Sequence, residues 1–375
     1  MGMKYGIGFV GCGQRCIDII REMEKREEFD IIALSDVSYE NMDITCNTYK
    51  RNWEKYLDYR ELLRRRDIDC IVITSPDWVH EEQAISAFKA GKHVFLEKPI
   101  AITVNGAENV LNARNKSGKV LLIGFVLRYN RLFKEMKKII EDGLIGELKT
   151  GWVLHSVASG SDWYFHDWHG LMKNTGGLLL QKGSHDFDII NWIVNSQIKR
   201  VSAFGSRDFF GGQKSNEIEC PDCDERKICT EFTEKNRMRK SCAFRQEIDV
   251  PDNHQVILEY QNGVKVSYME CHYTPDDNRE FTFIGTKGKL KLDYMGDRIE
   301  IRLRQSMYDT EETIAFKNLL SKEGHGGGDK FILDDLFNSL KTGKQPLSGG
   351  EDGLEAIRAG IMAHQSISEG RIVEA

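Results

Sequence analysis

Strand-length apolar runs and amphipathic helix-length runs take turns through the first third of the chain. "YGIGFV" is followed by Gly11-Cys12-Gly13 and then by the helical spacing of "QRCIDIIREME". The succession repeats in "FDIIALSDV", in "DCIVITSP" with "DWVHEEQAISAFKAG", in "HVFLEKPI" with "TVNGAENVLNARNKSG", and in "KVLLIGF". Short buried strands separated by helices predict a parallel, doubly wound sheet, whose ligands sit at the carboxyl ends of the strands. Ser75-Pro76 and Glu97-Lys98-Pro99 fall at such ends.

From about residue 148 the period changes. "HQVILEYQNGVKVSYMEC" reads as two strands around Asn262-Gly263, a strong hairpin signal. "REFTFIGTKGKLKLDYMGDRIEIRL" continues as a meander with glycine turns. "GGLLLQKGSHDFDIINWIV", residues 176–194, predicts one helix. Its Leu178, Leu179, Phe187, Ile190 and Ile193 form a packing side, while Gln181, Lys182, His185 and Asp188 lie on or near one polar face. "GEDGLEAIRAGIMAHQSISEG" predicts a final amphipathic helix.

A chain of 375 residues exceeds one ordinary core and implies two domains. The net charge of -6 gives no global attraction to nucleic acid. No apolar run reaches the ~18 residues of a membrane span. Nine cysteines without an export-signal pattern argue against a disulfide scaffold. We expect a cytoplasmic protein with neither nucleic acid nor membrane as partner.

The first turn carries chemistry. Gly11 permits it, Gly13 lets a pyrophosphate approach, and the helix opening at Gln14 and Arg15 presents N–H groups. The third position of the glycine motif is Cys16, small enough for helix and strand to pack. Asp36 ends the second strand, where a carboxylate accepts the ribose hydroxyls of NAD and repels a 2′-phosphate. NAD is therefore the expected cofactor; a solvated strand end is the plainer reading of Asp36.

"TSPDWVHEEQAISAFKAGKHVFLEKPIA" resembles the signature of the Gfo/Idh/MocA oxidoreductases. The turn ending in Pro76, His80 four residues later, Ala-Gly-Lys-His-Val and Glu-Lys-Pro match together. The resemblance resumes at "GFVLRYNRLFKEMKKIIEDGLIGEL", "GGLLLQKGSHDFDIINW", "FIGTKGKLKLD" and "GHGGGDKFILDDLFNSLKTGKQPLSGGEDGLEAI". It implies an α/β protein with an N-terminal Rossmann domain of doubly wound parallel sheet, over 1–127. An α/β domain with a large, mostly antiparallel sheet follows over 128–350, with a cysteine-rich insert at about 206–250. A C-terminal helix, 351–375, packs back on the body. The implied activity is NAD-dependent oxidation of a secondary ring hydroxyl of a sugar, glycoside or cyclitol to a ketone, in homo-oligomers built through the large sheet.

The resemblance sets Ser75, Pro76, His80, Glu97 and Lys98 beside the cofactor with Gly11, Gly13, Gln14, Arg15 and Asp36, and gives catalysis to Lys98 and His185. Removal of a hydroxyl proton suits a group whose pKa is near working pH, which histidine meets unperturbed. Lys98 then polarises the oxygen and shares the proton, or the two roles are reversed. Where the family has Asp four residues before the histidine, this chain has Gln181, which hydrogen-bonds a hydroxyl but takes no proton. Arg128, Trp168, His169, Gln181, Lys182, Asp188 and His325 are candidate substrate contacts; ordinary packing or a solvated loop is the alternative for each. A catalytically idle NAD-binding sugar sensor is the alternative for the whole.

"IECPDCDERKICTEFTEKNRMRKSC" spaces Cys220, Cys223, Cys229 and Cys242 as C-x2-C-x5-C-x12-C. Four cysteines in a charged, core-poor segment suit a structural zinc ion, an iron–sulfur cluster with the same ligands, or free thiols. Acidic residues balance the basic ones there, which argues against a nucleic-acid module.

Overall fold

The computed structural model describes residues 4–233, 239–304, 313–321 and 324–375; residues 234–238 of the cysteine-rich insert lie outside these. The chain divides into two compact units, Met1–Arg131 with Ser321–Ile357, and Leu132–Leu320 with Arg358–Ala375. The first unit is thus not a linear stretch: it takes back 321–357, and the boundary falls inside the helix Gly350–Glu369. Among the described residues no helix is long and apolar enough to cross a membrane.

The first unit holds β1 (Tyr5–Val10), β2 (Phe29–Ser35), β3 (Glu54–Tyr56), β4 (Cys70–Ile73), β5 (His93–Leu96) and β6 (Leu121–Ile123). All pair in parallel in the order β3-β2-β1-β4-β5-β6, the doubly wound arrangement expected. β1 and β4 are buried at every position, as strands covered on both faces must be. On one face, Cys16, Ile19, Ile20 and Met23 of the first helix pack beside Ile332, Leu333, Leu336 and Leu340 of the helix Gly328–Thr342. Phe337 meets Tyr5 and Phe29 edge-on at 6.1 and 6.3 Å.

The second unit holds β7 (Leu148–Ser156), β8 (Ile198–Ser206), β9 (Asn253–Tyr260), β10 (Lys265–Cys271), β11 (Asn278–Gly285), β12 (Gly288–Asp293), β13 (Arg298–Leu303), β14 (Thr313–Lys317) and β15 (Val373–Glu374). They form one sheet, β14-β13-β12-β11-β7-β10-β9-β8-β15, antiparallel except for β10 with β7. The Asn262-Gly263 hairpin joins β9 to β10 as expected, with Gly263 at φ 83°. Burial alternates along β9 and β10, so one face packs and the other is open.

The predicted helix 176–194 is broken. Leu178–Gln181 is a short turn of helix, and Ser184–Val194 is a separate one. At Gly183 a Cβ would lie 2.8 Å from the Leu179 carbonyl oxygen, so the two pieces approach too closely for any larger residue. The longer helix lies on the packed face of the sheet. Phe187 meets the Tyr268 ring at 4.9 Å, and Tyr260 donates to Asn191 Oδ1 at 2.7 Å.

Candidate active site

In the first unit the glycine loop is built for close approach. Gly11 has φ 91°, and a Cβ there would fall 2.5 Å from the Ser75 nitrogen. Helix Gln14–Met23 opens after Gly13 without a side-chain cap, and a Cβ on Gly13 would meet nothing within 4 Å. Its first N–H groups and dipole thus face open space, the cradle an anion requires. Cys16 is fully buried at the third motif position.

Asp36 is fixed rather than loose at its strand end. Its Oδ2 accepts the Cys12 N–H at 2.7 Å, and its Oδ1 accepts from the Ser38 N–H at 2.8 Å and from Asn41 Nδ2 at 3.2 Å. The carboxylate is held against the glycine loop. These residues fit NAD: an open helix start for the pyrophosphate and an oriented carboxylate for the ribose.

The neighbouring strand ends are tied together. His80 is 1% exposed, with Nδ1 2.7 Å from the Pro99 carbonyl and Nε2 2.9 Å from the Ser75 carbonyl, so both ring nitrogens serve the backbone. Ser75 Oγ donates to Gln83 at 2.5 Å. Arg15 Nε reaches Glu97 at 2.5 Å and its Nη1 reaches Asp329 at 2.9 Å; His325 Nδ1 lies 2.7 Å from the same Asp329. Lys98 follows β5, its N–H donating to Glu97 Oε2 at 3.1 Å, before a cis bond to Pro99. Gln14 donates to Asp18 at 3.1 Å. Arg128 is buried and bound by the Leu347 carbonyl at 3.0 Å and by Asp352 at 2.9 Å, contacts that hold the unit together.

In the second unit His155, Tyr268 and Arg279 gather around Asp186, a residue of the predicted helix to which the sequence assigned no role. Asp186 is fully buried. Arg279 Nε approaches its Oδ1 at 2.9 Å; His155 Nδ1 and the Tyr268 hydroxyl approach its Oδ2 at 2.7 and 3.0 Å. Burial opposes its charge, yet Arg279 and His155 hold its pKa down to about 2. Burial and Arg279 push His155 to about 4. Lys182 Nζ lies 5.4 Å from the Tyr164 ring centroid. Burial lowers its pKa to about 8 despite Asp186 and Glu270, which brings an ammonium within range of proton exchange near neutrality. Gln181 and Asp188 are buried at 7% and 1% exposure.

Strand register extends the cluster. Arg279, His155, Glu270 and His254 stand side by side on β11, β7, β10 and β9. A signal for two of them was available. His254 and Glu270 occupy inward positions in phase with Val256, Leu258, Val266 and Tyr268, where the alternation asks for apolar residues.

The segment Ser161–Gly170 borders the same cluster. The Tyr164 ring lies 5.1 Å from His272 and 5.9 Å from His169, and Trp168 stacks on His169 at 3.6 Å. Asp167 Oδ1 accepts the His169 N–H at 2.9 Å and lies 2.5 Å from its Nδ1.

The four cysteines of the insert are free and line one cavity together with His166. Cys220 Sγ lies 3.7 Å from His166 Nδ1. The metal centre expected from the spacing is not formed by the side chains as they stand: among the described residues no group of three or more His, Cys, Asp or Glu is set to hold an ion.

The first unit's parallel sheet, with an open glycine cradle and a fixed carboxylate at the end of β2, and the second unit's sheet, with its buried ionisable cluster, are the two parts of an NAD-binding oxidoreductase. The family model described as "Oxidoreductase family, NAD-binding Rossmann fold" matches residues 5–125, and "Oxidoreductase family, C-terminal alpha/beta domain" matches 137–375. The chain belongs to the Gfo/Idh/MocA oxidoreductase family. It is 26% identical over 371 residues to myo-inositol 2-dehydrogenase of Thermotoga maritima, covering 98% of each. It is 30% identical over 201 residues to inositol 2-dehydrogenase/D-chiro-inositol 3-dehydrogenase of Shouchella clausii, covering 53% of this chain and 56% of that one. Its fold matches a levoglucosan dehydrogenase solved with NADH and L-sorbose, at TM-score 0.81 and 17% identity, over 100% of this chain and 99% of that one.

Proposed function

We propose that the chain oxidises a secondary ring hydroxyl of a sugar, glycoside or cyclitol to a ketone, with NAD as hydride acceptor. The observation that carries this is the family match along both units, with Lys98 retained after β5 and His185 in the first turn of its helix. The names of the similar proteins support the polyol class. So does the second unit's chemistry, an indole face beside imidazoles and a near-neutral lysine. His185 takes the hydroxyl proton, and Lys98 polarises the oxygen and shares that proton. Gln181 and Asp188 orient hydroxyls, Lys182 and His169 hydrogen-bond them, and Trp168 offers its face to ring C–H groups.

A screen for NADH formation against cyclitols, hexosides and amino sugars tests the reading. His185→Ala is expected to lose about 10²–10⁴-fold in turnover while keeping NAD affinity. Lys98→Ala is expected to lose turnover as well. NAD binding without reduction across the whole panel would instead favour the idle sensor, and NADP binding tighter than NAD would overturn the role of Asp36.

Two further parts belong to this reading. The four insert cysteines are the ligands that a structural zinc ion, or an iron–sulfur cluster in its place, would draw together from their present positions; the support is that all four line one cavity. A second copy of the chain covers the open face of the large sheet, where Trp152, Phe204 and Ile257 are exposed.

A further inference from the structure

We infer that the cysteine-rich insert acts on substrate recognition through Arg239, a positioning residue that orients His169 by way of Asp167. This rests on the reading of His169 as a sugar contact.

The segment Ser161–Gly170 has two sides. One carries Tyr164 against Lys182 and His272, with His169 edge-on to Tyr164 and Trp168 stacked on His169. The other is gripped by the insert. Arg245, 1% exposed, donates to the carbonyls of Phe165, Cys242 and Asp167, the last at 2.6 Å. The ring nitrogens of His166 lie 2.6 and 2.9 Å from the carbonyls of Ser241 and Glu231. The Asp249 N–H donates to the Gly170 carbonyl at 3.2 Å, and Asp249 Oδ1 accepts the Met172 N–H at 2.6 Å. Phe165 stacks on Phe210 at 4.0 Å.

Asp167 joins the two sides. Its Oδ1 faces His169, while Arg239 Nε meets its Oδ2 at 3.0 Å. Arg239 is itself fixed, donating to the Asp162 carbonyl at 2.9 Å, with its guanidinium 5.2 Å from the Trp163 ring centroid. A carboxylate beside Nδ1 fixes the ring proton there and makes Nε2 the acceptor nitrogen of the ring. Asp167 is nearly buried; burial opposes its charge, and His169 and Arg239 together hold its carboxyl below the ordinary range. Without Arg239 the carboxylate loses the partner that fixes its Oδ2 and can turn about its own side chain, so Oδ1 no longer holds the His169 ring in one orientation.

Steady-state kinetics on a polyol that supports NADH formation test this with Arg239→Gln, His169→Asn and the double variant. Each single variant is expected to raise KM about 10-fold, the scale of one hydrogen bond involving a charged group. Turnover and NAD affinity stay within about twofold. The double variant is expected to be no worse than the worse single, because both changes cut one path. A double-variant KM equal to the product of the two single effects overturns the inference. His169→Asn with wild-type KM overturns instead the reading of His169 beneath it. Should Arg239→Gln not fold, Arg239→Lys decides, since lysine lacks the planar fork that serves two acceptors. KM then rises at least about threefold in the wild-type background and not at all with His169→Asn; no rise, or an equal rise in both, overturns the inference.

Discussion

Glu270 brings a carboxyl group to a place where neither oxygen meets solvent or a hydrogen-bond donor among the described residues. Around it stand His272 Nε2 at 3.3 Å, His254 Nδ1 at 3.6 Å and His155 Nδ1 at 3.9 Å, with Lys182, Asp186 and Arg279 beyond. Burial drives its pKa from 4.5 up to about 7. Below about pH 4.5 the carboxyl is protonated both folded and unfolded, and it adds no cost. Between about pH 4.5 and 7 the unfolded chain gives up a proton that the folded carboxyl keeps, so stability falls across that window, and above about 7 the folded protein carries a buried charge. Glu270→Gln is therefore expected to stabilise the protein at pH 8 by on the order of 2–3 kcal/mol, and by less than about 1 kcal/mol at pH 5. The three histidines pull the other way on acidification, since burial holds each below its ordinary value; that slope is common to both proteins. Denaturant midpoints at the two pH values check it, and an unchanged difference would reject the buried-charge account. Asp36 and Gly11 were legible in the sequence because their chemistry is local to one turn. The row of His155, His254, Glu270 and Arg279 was not, because only strand pairing brings those four positions side by side.

At the scale of elements, alternation between apolar periods revealed the strands of the first sheet other than the short, polar β3, and the hairpin at Asn262-Gly263. It did not reveal the break at Gly183, because a helix interrupted for one turn keeps its apolar positions in phase. Nor did it show what the insert holds. The spacing of the cysteines was visible, but Arg239 and Arg245 read as ordinary charges in a charged run until the segment 161–170 lies against them. The insert's own apolar contribution is small: Phe210, Ala243, Ile248 and Val250 join a cluster with Val157, Tyr164, Phe165 and Leu178. An ion drawing four thiolates inward would supply ordering that this cluster alone gives weakly. Elemental analysis of reduced protein is expected to find about one zinc per chain. Cys223→Ser is expected to lose it, together with thermal stability, while NAD affinity is kept. Absence of both zinc and iron would reject the site.

For the whole molecule, the open face of the second sheet is the feature that bears on assembly. Trp152 on β7 and Ile257 on β9 flank Ser267 in one cross-strand row, and Phe204 on β8 is 78% exposed. Apolar side chains aligned on one face are costly to leave in water, at roughly 25 cal/mol per Å². Ile257→Asp combined with Phe204→Asp is expected to shift the protein to a smaller species in sedimentation, with NAD affinity unchanged. An unchanged sedimentation coefficient would place any assembly elsewhere.

The helix Gly328–Thr342 completes the first unit's apolar cluster from far along the chain. Synthesis runs from the amino end, so the ribosome releases β1 to β6 and then residues 132–320 of the second unit before Leu333 and Leu336 emerge. Through that interval the first sheet has one face short of its cover, an apolar surface exposed in a nascent chain. The second sheet has β7 to β14 in hand while the first still waits. The part made earliest is therefore among the last to be sealed, and a message cut short after residue 320 yields a chain in which that exposure is permanent.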